Sequence, residues 1–218
     1  MRDLLPAAVS VAVAGTADWV GELLPEERAG LGERAVERRR RDFTAGRVCA
    51  RRAMSALGLA PTPVPSAPSR APVWPAGLVG TITHTRDYCA AAVARSSDLR
   101  AVGMDAERQR DLDPGVHRMI LHPEEKDRLA RLPGGVSWPI VVFSAKETVY
   151  KVWHPVVGSW LDFLDATVDL DPDAGVFTAR IAPARVSAAT VADPPTVVTG
   201  RFAVEDDLVR TAAVLHLP

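Results

Sequence analysis

The strand-like apolar segments of this chain occur in groups instead of alternating one by one with helices. Segments 78–84 and 88–94 are typical of a hairpin, and a third strand-like segment covers 99–107. A central helical segment then precedes a second group of strands, predicted at 160–170, 176–181, 199–204 and 208–217. Because a parallel doubly wound sheet requires strand and helix to alternate strictly, this grouping favours an α+β fold. We also expect the last two strands to pair as a hairpin.

The N-terminal third is predicted to be mainly helical. A weakly alternating strand at 7–14 precedes helical segments at 23–31, 33–41 and 43–58, the last of which ends at a glycine. The proline-rich stretch 61–75 cannot form regular helix or a central strand, so we expect it to pack over the surface. A further helix is expected at 117–132, with its charged residues facing solvent. Inspection of the sequence alone identifies no internal repeat.

The overall totals exclude several classes of protein. A chain of 218 residues makes one large domain or two small ones, and its formal net charge of −1 provides no basic field for nucleic acid. Two cysteines, Cys49 and Cys89, are too few for a disulfide framework and lack metal-ligand spacing. No apolar run reaches the roughly 18 residues that a membrane span needs. We therefore expect a cytoplasmic protein that binds neither nucleic acid nor a membrane.

The stretch Phe143 to Trp153, FSAKETVYKVW, predicts an amphipathic helix. Its expected buried stripe is Ala145, Val149, Val152 and Trp153, with Ser144, Glu147, Thr148 and Lys151 on the opposite face and Lys146 beside them. One face thus presents a carboxylate and an ammonium one turn apart. The alternative is an exposed i,i+4 ion pair, which stabilises a helix by only about 0.2–0.5 kcal/mol.

Two further acids follow the apolar run AVGM at 101–104. Asp105 and Glu107 are two positions apart, and in an extended strand such positions face the same way. Two converging carboxylates suit a hard cation with oxygen ligands, such as Mg²⁺. Two acids that enter solvent at a strand end are the alternative.

Basic residues elsewhere are candidates for binding an anion. Arg47 and Arg51 lie one turn apart on a predicted helix and can grip phosphate through bidentate contacts, although a solvated helix face explains them equally well. Arg70 lies in the proline-rich stretch, from which it can point into a site. His84 lies at the mouth of the turn after the strand LVGTITH, where a histidine is usually a capping or surface residue.

Four segments together resemble a known family. WPAGLVGTITH, AVGMDAE and FSAKETVYKVWHP, in this order and spacing, are similar to the signature motifs of the 4′-phosphopantetheinyl transferases. The arginine-rich segment FTAGRVCARRAMSALG resembles the N-terminal motif of the larger, monomeric surfactin- and enterobactin-type group. The resemblance runs from about Arg38 to Pro155. Thr81 and Met104 replace a serine and an isoleucine that are more usual in these motifs.

The resemblance implies transfer of the phosphopantetheine arm of coenzyme A, the substrate, to a serine of apo acyl or peptidyl carrier proteins. The other product is 3′,5′-ADP, and Mg²⁺ (or Mn²⁺) is required. The implied fold is a pair of similar α+β halves related by a pseudo-twofold axis, with the active site in the cleft between them. We place the halves at residues 1–104, which contact the nucleotide of coenzyme A, and 105–218, which hold the metal ligands and the catalytic helix.

The resemblance also assigns roles to individual residues. Asp105, Glu107 and Glu147 match the metal ligands, and Lys151 matches a lysine that contacts the pyrophosphate and assists proton transfer. The expected coenzyme A contacts are His84 on a phosphate, Arg47 and Arg51 near the 3′-phosphate, and Arg70 and Thr83 as additional contacts. The group that accepts the serine proton is either Glu147 or a water on the metal.

Two other functions remain open at this stage. A Mg²⁺-dependent hydrolase of a nucleotide pyrophosphate would use the same acids without a protein acceptor. A catalytically weak member of the family would bind carrier proteins as an interaction module, although the presence of all three acids argues against it. A serine hydrolase built on Ser144 and His84 fits the sequence poorly, because Ser144 lacks the glycines of a nucleophile elbow.

Overall fold

The computed structural model describes residues 1–32 and 34–217, which form an α+β fold with two antiparallel sheets. The smaller sheet has the order β1-β3-β2, and the larger one has the order β4-β8-β7-β6-β5. The strands are β1 Ser10–Val13, β2 Leu78–Thr85, β3 Tyr88–Arg95, β4 Ala101–Arg108, β5 Ala166–Asp171, β6 Val176–Ile181, β7 Val197–Glu205 and β8 Leu208–Leu215. The helices are α1 Pro25–Arg28, α2 Glu37–Ala56, α3 Pro114–Ile120, α4 Pro123–Leu129, α5 Trp138–Val157 and α6 Pro183–Ala188. The expected fold class is confirmed.

The smaller sheet packs against α2, a single helix of 20 residues where two helical segments were predicted. The start of the first of these segments, Glu33, lies outside the described residues. Cys49, Ala50 and Ala53 of this helix are fully buried and cluster with Ala91 and Val93 of β3. Gly46 allows the close approach, because a Cβ there would lie 2.8 Å from Cγ2 of Ile82 on β2.

The larger sheet packs against α5, which is longer at both ends than predicted. The expected apolar stripe of Ala145, Val149, Val152 and Trp153 is confirmed, since all four side chains are fully buried. Gly103 on β4 lies directly under this helix: an added Cβ would be 2.6 Å from Cγ2 of Val152 and would collide with the carbonyl oxygen of Thr148. The missing side chain therefore brings the backbone of β4 against α5.

The two sheets meet where β2 lies against β4. The backbone N–H of Ala106 donates to Oγ1 of Thr83 (3.1 Å), so a side chain of one sheet bonds to the backbone of the other. This junction brings the polar end of β2 beside the acidic end of β4.

Local backbone chemistry explains why one further sequence-based prediction is confirmed and another is wrong. The β7–β8 hairpin is confirmed, and Asp206 and Asp207 adopt left-handed φ values of 47° and 68°, as a two-residue hairpin turn requires. The single helix predicted at 117–132 is wrong. It divides into α3 and α4, because His122 precedes Pro123 and takes an extended conformation (ψ 153°).

A short internal repeat, which inspection of the sequence missed, becomes evident in the structure. Residues 23–31, LLPEERAGL, and 121–129, LHPEEKDRL, each begin a short helix with proline, and the second glutamate of each is fully buried. Glu125 therefore does not face solvent as predicted. The repeat is difficult to see in one sequence because it covers only nine residues.

Within the described part of the chain, none of the helices combines the length and the apolar character that crossing a bilayer requires.

Candidate active site

Asp105 lies at the centre of the candidate site, where β4 meets β2 and α5. Its side chain is buried, with 5% of the residue exposed. Oδ1 accepts hydrogen bonds from Nζ of Lys151 (2.8 Å) and Oγ1 of Thr83 (3.2 Å), and Oδ2 accepts one from Oγ of Ser144 (2.8 Å). Three donors, one of them cationic, therefore converge on this carboxylate.

Glu107 and Glu147 are half-buried and influence Asp105 and each other electrostatically. Burial raises the pKa of Glu107 to about 7, and the negative charge of Asp105 raises it further, while Arg110 and Lys151 oppose the shift. Burial also raises the pKa of Glu147; Lys151 lowers that pKa and Asp105 raises it. Negative charge is thus concentrated where water is partly excluded, which favours a bound cation.

The donor set fits Mg²⁺ in its chemistry, because three carboxylates from β4 and α5 offer hard oxygen ligands around a partly buried region. No group of three or more histidine, cysteine, aspartate or glutamate side chains is gathered closely enough to hold a metal, as far as residues 1–32 and 34–217 show. The ammonium of Lys151 donates to Oδ1 of Asp105, so a positive charge of the protein itself contacts this carboxylate.

The two lysines of α5 have different partners from those the sequence suggested. Lys151 donates to Asp105 and to the carbonyl oxygen of Met104 (3.0 Å), both across the helix–strand contact. Lys146 does not lie on the polar face: it is buried and donates to the carbonyl oxygen of Ile120 (2.7 Å) and to Oε2 of Glu125 (2.8 Å). Lys146 therefore joins α5 to α4, and only Lys151 faces the candidate site.

A cavity of about 520 Å³ opens beside these groups, between the proline-rich stretch, β2 and α5. Its polar wall includes Arg70, Glu147 and Lys151, and its apolar wall includes Trp74 and Tyr150. A volume of this size is typical of a site for a small molecule or cofactor. The structure thus brings Arg70, which is distant in sequence, to the same cavity as Glu147 and Lys151.

His84 is an exposed residue of β2, near the other end of the site. Its Nδ1 is 3.7 Å from Oδ2 of Asp42, and partial burial lowers the pKa of the imidazole while Asp42 opposes the shift. Asp42 also lines a second cavity of about 380 Å³, together with Arg41 and Arg86. Neither arginine is conspicuous in the sequence: Arg41 ends the basic run 38–41, which is typical of a solvated helix face, and Arg86 lies in the turn after β2.

Thr83 is 2% exposed, and its hydroxyl bonds to Asp105 and to the backbone of Ala106. This burial does not favour the predicted contact between its side chain and coenzyme A. The hydroxyl instead holds the carboxylate of Asp105 against the edge of β2.

Arg47 and Arg51 are both engaged within the protein. Arg47 is 6% exposed, donates to the carbonyl oxygen of Val64 (2.9 Å) and to Oγ of Ser66 (2.8 Å), and lies 3.9 Å from the ring centroid of Phe43. Burial lowers the pKa of this guanidinium to about 10. Arg51 forms an ion pair with the buried carboxylate of Glu27. Contact of either residue with a 3′-phosphate stays a prediction, which these partners do not favour.

Two family profiles match the chain. One, described as the 4′-phosphopantetheinyl transferase N-terminal domain, matches residues 26–94, and the other, described as the 4′-phosphopantetheinyl transferase superfamily, matches residues 101–199. The matched ranges contain α2, β2, β4 and α5, the elements that form the candidate site.

Individual relatives agree with these profiles. The chain is 42% identical over 205 residues to the 4′-phosphopantetheinyl transferase Svp of Streptomyces mobaraensis, covering 92% of this chain and 82% of that protein. It is 40% identical over 195 residues to the 4′-phosphopantetheinyl transferase PptT of Mycobacterium tuberculosis, covering 88% and 86%. It is also 28% identical over 122 residues to enterobactin synthase component D of Salmonella typhi, covering 55% and 50%. The resemblance found in the sequence motifs is confirmed.

Proposed function

The chain belongs to the 4′-phosphopantetheinyl transferase family, and we propose that Asp105, Glu107 and Glu147 form the metal site of its active centre. As a member of this family it is an enzyme that transfers 4′-phosphopantetheine from coenzyme A to carrier proteins. The observation that carries the proposed site is the meeting of Asp105, Lys151 and Glu147 beside a cavity of about 520 Å³.

The transfer we propose is attack by a serine hydroxyl of an apo acyl or peptidyl carrier protein on the β-phosphate of coenzyme A. The bond from this phosphorus to the bridging pyrophosphate oxygen breaks, and 3′,5′-ADP leaves. The developing charge on the pyrophosphate needs cationic stabilisation. Mg²⁺ or Mn²⁺, when bound, supplies part of it as a Lewis acid on phosphate oxygens.

Lys151 supplies a second positive charge at the same place. Its ammonium contacts Asp105 and lines the cavity, so a small rotation of its flexible side chain takes it from the carboxylate to a phosphate oxygen. We assign it the pyrophosphate contact.

Glu147 is our choice for the group that removes the proton from the acceptor serine. Burial raises its pKa, which makes its carboxylate a stronger base than an exposed glutamate would be. Its place on the cavity wall exposes it to an incoming hydroxyl group. As a metal ligand as well, it would couple cation binding to proton transfer.

The remaining contacts to coenzyme A follow from the two cavities. We propose that Arg70 binds the nucleotide portion and that the apolar wall beside Trp74 and Tyr150 accommodates apolar parts of the substrate. His84, next to the basic cavity with Arg41 and Arg86, is suited to a phosphate. In this arrangement residues 1–104 provide nucleotide contacts, and residues 105–218 provide the metal ligands.

The monomeric state and the cytoplasmic location stay predictions. Size-exclusion chromatography tests the monomeric state.

The deciding experiment is the intact mass of an apo carrier protein after incubation with this enzyme, coenzyme A and Mg²⁺. We expect the carrier to gain one phosphopantetheine group, and EDTA to prevent the gain. A panel of acyl and peptidyl carriers would then define the clients. Consumption of coenzyme A at the same rate with and without carrier would instead indicate a pyrophosphate hydrolase and would contradict the proposal.

A further inference from the structure

Ser144 contacts the candidate metal site from within the protein core. It lies on α5, one turn before Glu147, but on the face that packs against the sheet, and it is fully buried. Its Oγ is 2.8 Å from Oδ2 of Asp105. The serine hydroxyl donates this hydrogen bond, and the carboxylate oxygen accepts it.

A chain of buried hydroxyl groups leads to Ser144. Oγ of Ser144 is 2.9 Å from Oγ1 of Thr211 on β8, and this oxygen is 2.7 Å from Oγ1 of Thr148 on the next turn of α5. All three side chains are fully buried. Ser144 gives its proton to Asp105, and the single hydroxyl proton of Thr211 can go either to Oγ of Ser144 or to the carbonyl oxygen of Ser144 (2.9 Å). Thr148 can donate to Oγ1 of Thr211. Of these three hydroxyl groups, the one that contacts Asp105 is that of Ser144.

The side-chain donors to Asp105 are distributed over both oxygens of its carboxylate. Lys151 and Thr83 contact Oδ1, and Ser144 contacts Oδ2. With a donor on each oxygen, the carboxylate cannot rotate without breaking a buried hydrogen bond. Without the Ser144 hydroxyl, these contacts would hold the carboxylate through Oδ1 alone, which fixes its orientation less firmly.

We propose that Ser144 is a positioning residue, which orients the carboxylate of Asp105 for the divalent cation and acts through the hydrogen bond to Oδ2. This inference rests on the proposed function, in which Asp105 is a metal ligand. Outer partners that orient metal-binding carboxylates typically change metal affinity by about 10- to 100-fold when they are removed.

The test is the dissociation constant of Mn²⁺, measured by electron paramagnetic resonance on the 218-residue chain with coenzyme A and without carrier protein. We expect Ser144→Ala to weaken Mn²⁺ binding by about tenfold, while the affinity for coenzyme A in EDTA stays unchanged. Ser144→Cys fills the same space with a weaker donor, so it should also weaken Mn²⁺ binding and does not leave a cavity. If Ser144→Ala does not fold, the Mn²⁺ affinity of Ser144→Cys tests the positioning role.

Two control variants make the outcomes distinct. Thr148→Val removes a hydroxyl from the same chain, at a similar volume, without touching Asp105, and we expect a change in Mn²⁺ affinity below about twofold. Asp105→Asn should abolish Mn²⁺ binding. Undiminished affinity in the Ser144 variants, or an equal loss in Thr148→Val, would overturn the positioning role while the metal site stands. Undiminished affinity in Asp105→Asn would overturn the metal site itself.

Discussion

Glu27 and Glu125 occupy equivalent places in the two copies of the short repeat, and both carboxylates are fully buried. In the first copy, Oε2 of Glu27 accepts from the backbone N–H of Leu24 (3.0 Å), and Oε1 accepts from that of Val64 (3.1 Å). A cation of the long helix α2, Arg51, completes the set through Oε2. The glutamate thus joins a helix start, an extended segment and a long helix.

The second copy repeats each of these contacts. Oε2 of Glu125 accepts from the backbone N–H of His122 (2.7 Å), and Oε1 accepts from that of Val168 on β5 (2.7 Å). The cation is Lys146 of the long helix α5, at 2.8 Å from Oε2. The two halves therefore share a buried junction as well as a sequence pattern, which supports the pseudo-symmetric arrangement that the family resemblance implied. It also explains Arg51 as a structural residue.

We expect Glu125→Gln to lower the free energy of unfolding by about 3 kcal/mol, because it leaves Lys146 buried without an opposite charge. Urea denaturation measures the change. Glu124→Gln, at the exposed neighbouring position, is the matched control and should have almost no effect. Equal stability of the two variants would show that the buried pair contributes nothing specific.

Glu147→Gln should lower the turnover number at least 100-fold while the protein stays folded, because it removes a negative ligand and base at nearly constant volume. The rate of carrier modification, followed by intact mass at saturating Mg²⁺, tests this prediction. Near-normal turnover in the variant would remove Glu147 from both assigned roles.

Arg47 and Arg70 should respond differently to substitution by alanine. Arg47→Ala removes a buried side chain with two hydrogen bonds, so we expect lower stability and equal losses of affinity for coenzyme A and 3′-dephospho-coenzyme A. Arg70→Ala changes an exposed residue on the cavity wall and should weaken coenzyme A with little effect on stability. Calorimetric titration with both ligands is the measurement. A selective loss of coenzyme A in Arg47→Ala would restore that residue to the 3′-phosphate.

Stability without metal should fall as the pH rises from about 5 to 8. Burial and Asp105 raise the pKa of Glu107 from 4.5 to about 7, so between these values the native protein binds more protons than the unfolded chain. The free energy of unfolding then decreases with rising pH. Since Glu107 is only half-buried, we expect a contribution on the order of 1 kcal/mol. Denaturation in EDTA at both pH values, with Glu107→Gln as comparison, measures it.

The Glu107→Gln variant should lose this part of the pH dependence, because its amide does not titrate in that range. Addition of Mg²⁺ at pH 8 should stabilise the unaltered protein and have a smaller effect on the variant. The same pH slope in both proteins would assign the effect to other groups.

The sequence by itself determined those elements whose signals are local. Strand-like apolar segments located β2, β3 and β6, and the paired aspartates 206 and 207 marked the β7–β8 hairpin. Helical periodicity identified the buried stripe of α5. The motif spacing also selected Asp105, Glu107, Glu147 and Lys151 as candidate site residues. These signals lie within a few neighbouring positions, over which backbone geometry and side-chain direction follow from the residue types.

Only the tertiary structure decided which partners the polar side chains have. Lys146 and Lys151 are lysines of the same helix, yet Lys146 is buried and donates to Glu125, whereas Lys151 donates to Asp105. Ser144, dismissed as a nucleophile, contacts Asp105 and Thr211, residues of two strands far from it along the chain. A polar group loses its contacts with water when it is buried, and only a hydrogen bond or an opposite charge inside the protein compensates that cost. Whether such a group can be buried therefore depends on the partner that distant segments bring to it. That compensation is a property of packing between elements, and no single segment of the sequence contains it.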